Sequence, residues 1–528
     1  MNHAFGALGR QRDDPLAATE RLSVFARISL PALLVAGATI VAAIIVFSQI
    51  DAKPFWLDEA TSVAMTRNAT QLARAFAHDG GNFALYYVLL YAWLHAGTTE
   101  VWVRTLSVLP ALATIPVAAA LARRLFDTRT GIATALIVAV HPFFIAYAHE
   151  ARGYSLAVLA VTTAGYALTR ARQDAAARGA WTLFVVAAAA AVYTQMLCTL
   201  VLFAFAIWLG LTERRAAVWK PALVAASTLA VLVFPLALAE HRSGHDFLAW
   251  IPPATLPMVA HDVATLFGGP DVLAVVAASA LLFPWLRYRP SRRERDAWML
   301  LFAWLVVPVG GLIVYSLVRH PLLVERYLII SLPAAAIACA AILVRIAAVP
   351  RLAPLAAIAI VLAVRSDIAA ARTPPDEDWR ATTAFLATHA RTTDTLFIRA
   401  GYAKVPFDYN VEQSGKSAAM PAFVAEPAAL FEHHSAGTYL ARVIRHSDRV
   451  WLILSHADKP DDPARSGAFT VHALERDDVR SATWQFGRDI TLALYIPRKL
   501  TSAPPVRVIT HRQAPPGVPS TNTALRPT

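Results

Sequence analysis

Long apolar blocks alternate with short basic loops along the first 370 residues. The first block, "LPALLVAGATIVAAIIVFSQI" (30–50), is long enough to cross a bilayer core of about 30 Å. Reading every such block as a span predicts membrane helices over 29–50, 104–122, 130–147, 153–170, 180–194, 196–211, 221–239, 271–286, 297–317, 326–344 and 352–369, about eleven in all. The stretch 82–97, "NFALYYVLLYAWLHAG", is apolar but short and rich in Tyr and Trp. It reads as a helix lying in the membrane interface, where aromatic side chains gather. The block 181–211 reads as a tight hairpin broken near "YTQM" (193–196), which keeps both of its basic ends on one side.

After "ARTPPDEDW" (371–379) the pattern changes. "EDWRATTAFLATHA" has helical periodicity, while "TLFIRA", "RVWLILSH" and "ITLALYIP" have the short apolar character of strands. Segments 1–28, 29–370, 375–499 and 501–528 are therefore expected to be a cytoplasmic lead, a membrane domain, a small α/β domain and a disordered tail.

Composition agrees: 57% of the residues are hydrophobic and only 16% are charged, far from a soluble domain. The net charge of +12 does not point to nucleic acid, because the cations sit in short loops. "RRLFDTRT" (123–130), "RARQDAAAR" (170–178), "TERR" (212–215) and "RYRPSRRER" (287–295) carry them. That distribution is the positive-inside signature of a multi-pass inner-membrane protein, and it predicts a cytoplasmic N-terminus and an extracytoplasmic C-terminal domain. The first block lacks a small-x-small cleavage pattern and reads as an uncleaved span. Cys198 and Cys339 both fall in apolar runs and read as core fillers.

With that orientation the outer loops hold Asp58, Glu59, Asp79, Glu150, Arg152, Glu240, Asp246, Arg319, Glu325 and Arg326. Several of them lie within a few residues of a span end, where charge is costly to desolvate, and these invite a functional reading. Asp58, in "FWLDEATS" (55–62), serves either as a helix N-cap or as a general base at the mouth of an outward cavity. In "AHEARGYSL" (148–156), Glu150 and Arg152 are either an ion pair at a helix start or an acceptor-pocket acid beside a phosphate ligand. Arg326, in "RHPLLVERYLII" (319–330), either snorkels or meets an anion; a cation opposes the dipole at a helix start, which favours the ligand. His320 is either a phosphate contact or an interfacial side chain. No zinc, P-loop or dinucleotide motif implies a soluble cofactor, although clustered acids are candidates for a divalent ion.

The segments "FWLDEATS", "GGNFALYYVLLYAWL", "VWVRTLSVLPAL", "RRLFDTRTGI", "HEARGYSL", "WIPPATL" and "ERYLIISLP" occur in the order seen in bacterial glycosyltransferase family 39-like proteins. That group lies in the GT-C superfamily with the protein O-mannosyltransferases and the aminoarabinose transferases, and the resemblance covers roughly residues 29 to 370. It implies an inverting transferase that takes a mannose- or pentose-like sugar from a polyprenyl-phosphate carrier to an acceptor glycan, lipid or protein in the cell envelope. In that picture Asp58 resembles the base that activates the acceptor hydroxyl, with Glu59 beside it and Glu150 in the second outer loop. Arg104 resembles the basic residue that opens the second span, Arg152 shares the second outer loop with Glu150, and Arg326 resembles the ligand of the lipid phosphate; with His320 from the residue reading, these four are the expected donor-phosphate set. Many relatives carry Pro-Pro before "LYY", where this chain has Phe83 and Ala84. The competing class is a transporter of a lipid-linked or small solute, which should show paired repeats and broken midplane helices; the sequence displays neither. A third class is a non-catalytic scaffold that binds the lipid-linked sugar.

Overall fold

The computed structural model describes residues 29–78, 81–242, 251–283, 288–399, 401–425, 449–455, 471–472, 474–475, 478–497 and 507–508. The expected N-terminal segment, together with Asp79 and Asp246, lies outside them.

Helix α1 (Leu30–Gln49) begins with Pro31 in its first turn, where a missing N–H costs nothing. It leads through Asp51–Trp56 to the short α2 (Leu57–Met65), then α3 (Ala69–His78) and α4 (Ala84–Trp93). The interfacial reading of 82–97 thus meets a ten-residue helix. Next come α5 (Glu100–Leu125), α6 (Thr128–Ala139), α7 (Pro142–Ala148), α8 (Tyr154–Gln173), α9 (Arg178–Thr194) and α10 (Cys198–Thr212). The break between α9 and α10 falls at Gln195–Leu197, where the hairpin was expected. The remaining membrane-side elements are α11 (Ala216–Arg242), α12 (Leu256–Leu266), α13 (Pro270–Leu281), α14 (Arg292–Val318), a 3-10 turn (Glu325–Ser331) running into α15 (Leu332–Ala347), and α16 (Ala353–Arg372).

Among the described residues, 5 helices are long and apolar enough to cross a membrane, or 7 if each of two bent pairs is one span. Their exposure differs widely: the apolar window of α11 is only 11% buried, whereas that of the segment Glu325–Ala347 is 83% buried. The bent pairs overturn the expectation of unbroken helices. Helices α6 and α7 meet at 57° and α12 and α13 at 75°. The causes are local: Pro142 removes a donor at the first break, and Gly268 and Gly269, at φ +96° and +116°, precede Pro270 at the second. The expected single span at 271–286 is therefore a twelve-residue helix on one arm of a bend.

Beyond Arg372 lies the α/β part. Helix α17 (Trp379–His389), capped by Asp378, and helix α18 (Lys404–Ser414) accompany strands β1 (Thr395–Arg399), β2 (Ala422–Ala425), β3 (Val450–Ser455), β4 (Asp478–Phe486), β5 (Ile490–Pro497) and β6 (Arg507–Val508). The sheet order is β2-β1-β3-β5-β4-β6. β1 pairs in parallel with β2 and β3, whereas β5 is antiparallel to both β3 and β4. Alternation sorts the side chains: Leu396, Ile398, Trp451 and Ile453 face Trp379 and Leu386 of α17, while Phe397, Leu452 and Tyr495 pack on the other face. β6 lies inside the stretch expected to be a disordered tail, and pairs with β4 at Ala482 and Thr483.

Candidate active site

Asp58 and Glu59 occupy the first turn of α2, where negative charge suits the exposed N–H groups. Successive helical residues point about 100° apart, so the two carboxylates part ways. Glu59 turns inward and is 1% exposed. It receives Nε and Nη2 of Arg104 at 2.8 and 2.6 Å and the Ala151 N–H at 2.9 Å. The Arg104 guanidinium also donates to the carbonyls of Ile50 (2.8 Å), Lys53 (2.7 Å) and Pro54 (3.3 Å) and lies over the Phe55 ring. A guanidinium has five N–H donors, and these contacts engage all of them. Arg104 therefore fastens α2, the 50–54 turn and α5 together, and has no donor left for the donor phosphate that the resemblance assigned to it. Glu59 is likewise engaged by protein groups.

Asp58 turns the other way and stays 24% exposed. Its Oδ2 lies 3.8 Å from Arg152 and 3.7 Å from Arg326. These are ion-pair distances beyond hydrogen-bond length, so the carboxylate sits between two cations without being locked to either. Arg152 stands over the Phe83 ring at 4.4 Å and reaches Ser62 and Tyr87 at 3.4 Å. Phe83, the only non-glycine with positive φ (61°) among the described residues, holds a strained backbone just before α4. Its place in front of "LYY" is the one where the sequence departs from the family pattern, and the ring is what Arg152 rests on. Arg326 is the second residue of the 3-10 turn and lies over Trp56 (5.6 Å) and Tyr327 (5.9 Å).

Glu150 follows α7, in the loop that also supplies the Ala151 N–H to Glu59. The bend between α6 and α7 brings this loop to α2. The buried Oε2 of Glu150 accepts no hydrogen bond. Burial pushes its pKa up to about 8, with Glu59 adding to the shift and Arg326 opposing it. Next to it His149 donates from Nε2 to the Val46 carbonyl at 3.0 Å, and burial pushes its pKa down to about 4. A cavity of about 410 Å³ is walled by Trp56, Glu59, His149, Glu150 and Arg326 from the membrane part, and by Asp376, Glu377 and Arg488 from the α/β part; Asp58, expected at the mouth of such a cavity, is not among its lining residues, and neither is Arg152. Lys53 also lines it, its pKa lowered by burial.

Asp58, Glu59, Glu150, Arg104, Arg152 and Arg326 are thus brought together from four separated stretches of chain. His320 is not. It sits in the turn after α14 with Nδ1 on the Pro321 carbonyl at 2.8 Å, and no described contact joins it to the cluster. Sequence reasoning missed Phe83, Trp56, Lys53 and the contribution of Asp376, Glu377 and Arg488. Trp56 and Lys53 lay in or beside the quoted motif, but nothing in the sequence marks Asp376 and Glu377 as neighbours of the cavity. Among the described residues no three His, Cys, Asp or Glu side chains gather as a metal site.

Residues 83–238 match the family model described as dolichyl-phosphate-mannose-protein mannosyltransferase. A comparison with curated protein sequences finds no match. Among solved structures, ArnT from Cupriavidus metallidurans in the apo state superposes with a TM-score of 0.54 at 15% identity, covering 90% of this chain and 98% of that one. The same protein bound to undecaprenyl phosphate gives 0.52 at 14% identity, with 87% and 97% covered. The archaeal oligosaccharyltransferase AglB from Archaeoglobus fulgidus, in complex with an inhibitory peptide and a dolichol-phosphate, gives 0.51 at 11% identity, with 84% and 72% covered. At such identities the likeness is one of fold, and the chain has the fold of the GT-C membrane glycosyltransferases.

Proposed function

We propose that this chain is a membrane glycosyltransferase that moves a sugar from a polyprenyl-phosphate donor to an acceptor hydroxyl on the extracytoplasmic side, with inversion. The observation that carries the reading is Asp58, a partly exposed carboxylate held 3.7–3.8 Å from two arginines on a helix fixed by a buried ion pair. Such a site needs no nucleotide fold, because the phosphate ester already carries a leaving group. Asp58 accepts the proton of the acceptor hydroxyl as its oxygen bonds to the anomeric carbon. The bond from that carbon to the phosphate oxygen breaks, and Arg152 and Arg326 stabilise the departing lipid phosphate. A single displacement inverts the anomeric centre. Glu59 and Arg104 act as positioning residues, and the neutral Glu150 adds no negative charge to repel the phosphate.

The fold shared with a protein solved with undecaprenyl phosphate, and the mannosyltransferase match over 83–238, support a lipid-linked donor. Mannose and a pentose are both compatible with these likenesses. The site is tested with membranes carrying either the natural chain or Asp58→Asn, a panel of radiolabelled polyprenyl-phosphate sugars, and host extract as acceptor. Transfer from one donor by the natural chain, reduced about 10²- to 10⁴-fold in the variant, is the expected result. Equal transfer in both removes Asp58 from the base role. Among the described residues, the bent helix pairs are a feature that a carrier would share. A labelled donor that crosses sealed vesicles with its sugar still attached would favour transport.

A further inference from the structure

Helix α2 starts without a cap of its own: Trp56, at its N-cap position, offers no side-chain acceptor. The first N–H of the helix, on Leu57, is instead taken by Glu377 Oε2 at 3.2 Å, from a residue 320 positions later in the chain. We infer that the α/β domain is a clamp on the acid-bearing helix, with Glu377 as a positioning residue that supplies the missing cap.

Three further observations make the clamp a built device rather than a chance touch. Glu377 is 3% exposed, and its Oε2 also accepts the indole N–H of the fully buried Trp379 at 2.6 Å, which fixes the carboxylate against the α/β core. The backbone on either side is gripped by the β4–β5 turn. The Asp376 carbonyl accepts the N–H groups of Arg488 and Asp489, both at 2.8 Å, and Glu377 bridges Gly487. Gly487 has φ +68°, and a Cβ there would stand 2.4 Å from the Asp376 oxygen, so the turn approaches this closely only because the residue is glycine. Finally, α18 holds the other side of α2. Tyr409 stacks on Phe55 at 4.9 Å, and Glu412 pairs with Arg67 just past the end of α2. The helix carrying Asp58 is thus held at its start, its flank and its end by one domain. A carboxylate at the helix start also complements the dipole.

The kinetic arm of the test rests on the transferase reading; the exchange arm does not. Full-length protein in detergent or nanodiscs is compared as the natural chain, Glu377→Ala, Glu377→Gln, Gly487→Ala and Gln413→Ala, the last a docking contact to Thr98 away from α2. In Glu377→Ala and Gly487→Ala, amides of residues 57–65 should exchange at least about 10-fold faster than in the natural chain, as loss of a cap implies. The kcat should fall about 10- to 100-fold with the donor KM unchanged, since a small misplacement of a base acts on the transition state. Glu377→Gln keeps an acceptor and should restore most of both, and Gln413→Ala should match the natural chain. Unchanged exchange in 57–65, a rise in KM alone, or an equal effect of Gln413→Ala overturns the clamp. If the natural chain transfers no sugar, the transferase reading fails and the exchange arm alone decides the clamp. If Glu377→Ala does not fold, Gly487→Ala and Glu377→Gln carry the comparison.

Discussion

Glu150 is the site residue whose chemistry differs most from its type. An ordinary glutamate is ionised at neutral pH; this one, with its pKa near 8, keeps its proton. The sign of the consequence for stability follows. Between the usual 4.5 and about 8 the folded chain holds a proton that the unfolded chain has released, so this contribution is fully present below 4.5 and is lost as pH rises to 8. His149 slopes the other way, but only between its usual 6.5 and about 4. From pH 6.5 to 8 the Glu150 effect therefore stands apart from that of its neighbour. Thermal unfolding in detergent should show the natural chain losing stability across that interval relative to Glu150→Gln, with the difference level above pH 8. The same proton matters to an anionic donor. Above pH 8 an ionised Glu150 places negative charge in the cavity, so the donor KM should rise in the natural chain and stay flat in Glu150→Gln. Phe83 makes a second residue-scale case: Phe83→Ala removes the ring under Arg152, a contact of about 0.5–2 kcal/mol. Donor affinity should weaken by up to about 30-fold, as read by the donor KM.

The elements divide into those that periodicity reveals and those that sterics decide. Helices α1, α5, α11 and α14 announce themselves by length and apolarity, and the short α4 by its aromatic content. The strands β1, β3 and β5 fall where short apolar runs place them. The bends escaped because an apolar count is blind to direction. Pro142 and the Gly268-Gly269-Pro270 run were visible as letters, but only the directions of the flanking helices show that the chain turns there by 57° and 75°. Gly269 isolates the effect. Its φ of +116° disfavours a side chain, although a Cβ there would meet nothing closer than Ser366 Oγ at 3.9 Å. Gly269→Ala should therefore cost about 1–3 kcal/mol through backbone strain alone. Gly310, inside α14 with open space around it, gives the opposite sign: Gly310→Ala should stabilise by about 0.5–1 kcal/mol. Parallel melting curves of the two variants would check both signs. The site was legible to the same degree as the helices. Asp58, Arg152 and Arg326 could be singled out as costly charges near span ends, whereas the full engagement of Arg104 by Glu59 and three backbone carbonyls is a property of geometry that no motif contains.

At the scale of the whole molecule, the basic loops and the candidate site lie at opposite ends of the helices. The chain enters α5 beside the site at Glu100 and Arg104 and leaves it at Arg123 and Arg124. Helix α8 repeats this, running from Tyr154 beside Arg152 to Arg170 and Arg172. At the basic end, Arg172 is held by Glu213 and Asp296 and stands over Trp208. The bundle therefore has one end that gathers the basic loops and another that carries the Asp58 cluster and the α/β domain. If cations stay inside, the Asp58 end and the clamp must face outward, where a lipid-linked sugar and an extracytoplasmic acceptor would meet. Both native cysteines are buried, so single-cysteine labelling starts from a low background. In intact cells or right-side-out vesicles, Ser417→Cys on the α/β domain should react with a membrane-impermeant maleimide. Ala176→Cys, in the basic loop between α8 and α9, should react only after the membrane is opened. The reverse pattern would turn the chain over and place the Asp58 site in the cytoplasm. Labelling of both from one side would mean that α8 does not separate two compartments, and the membrane path read from the charges would fail with it.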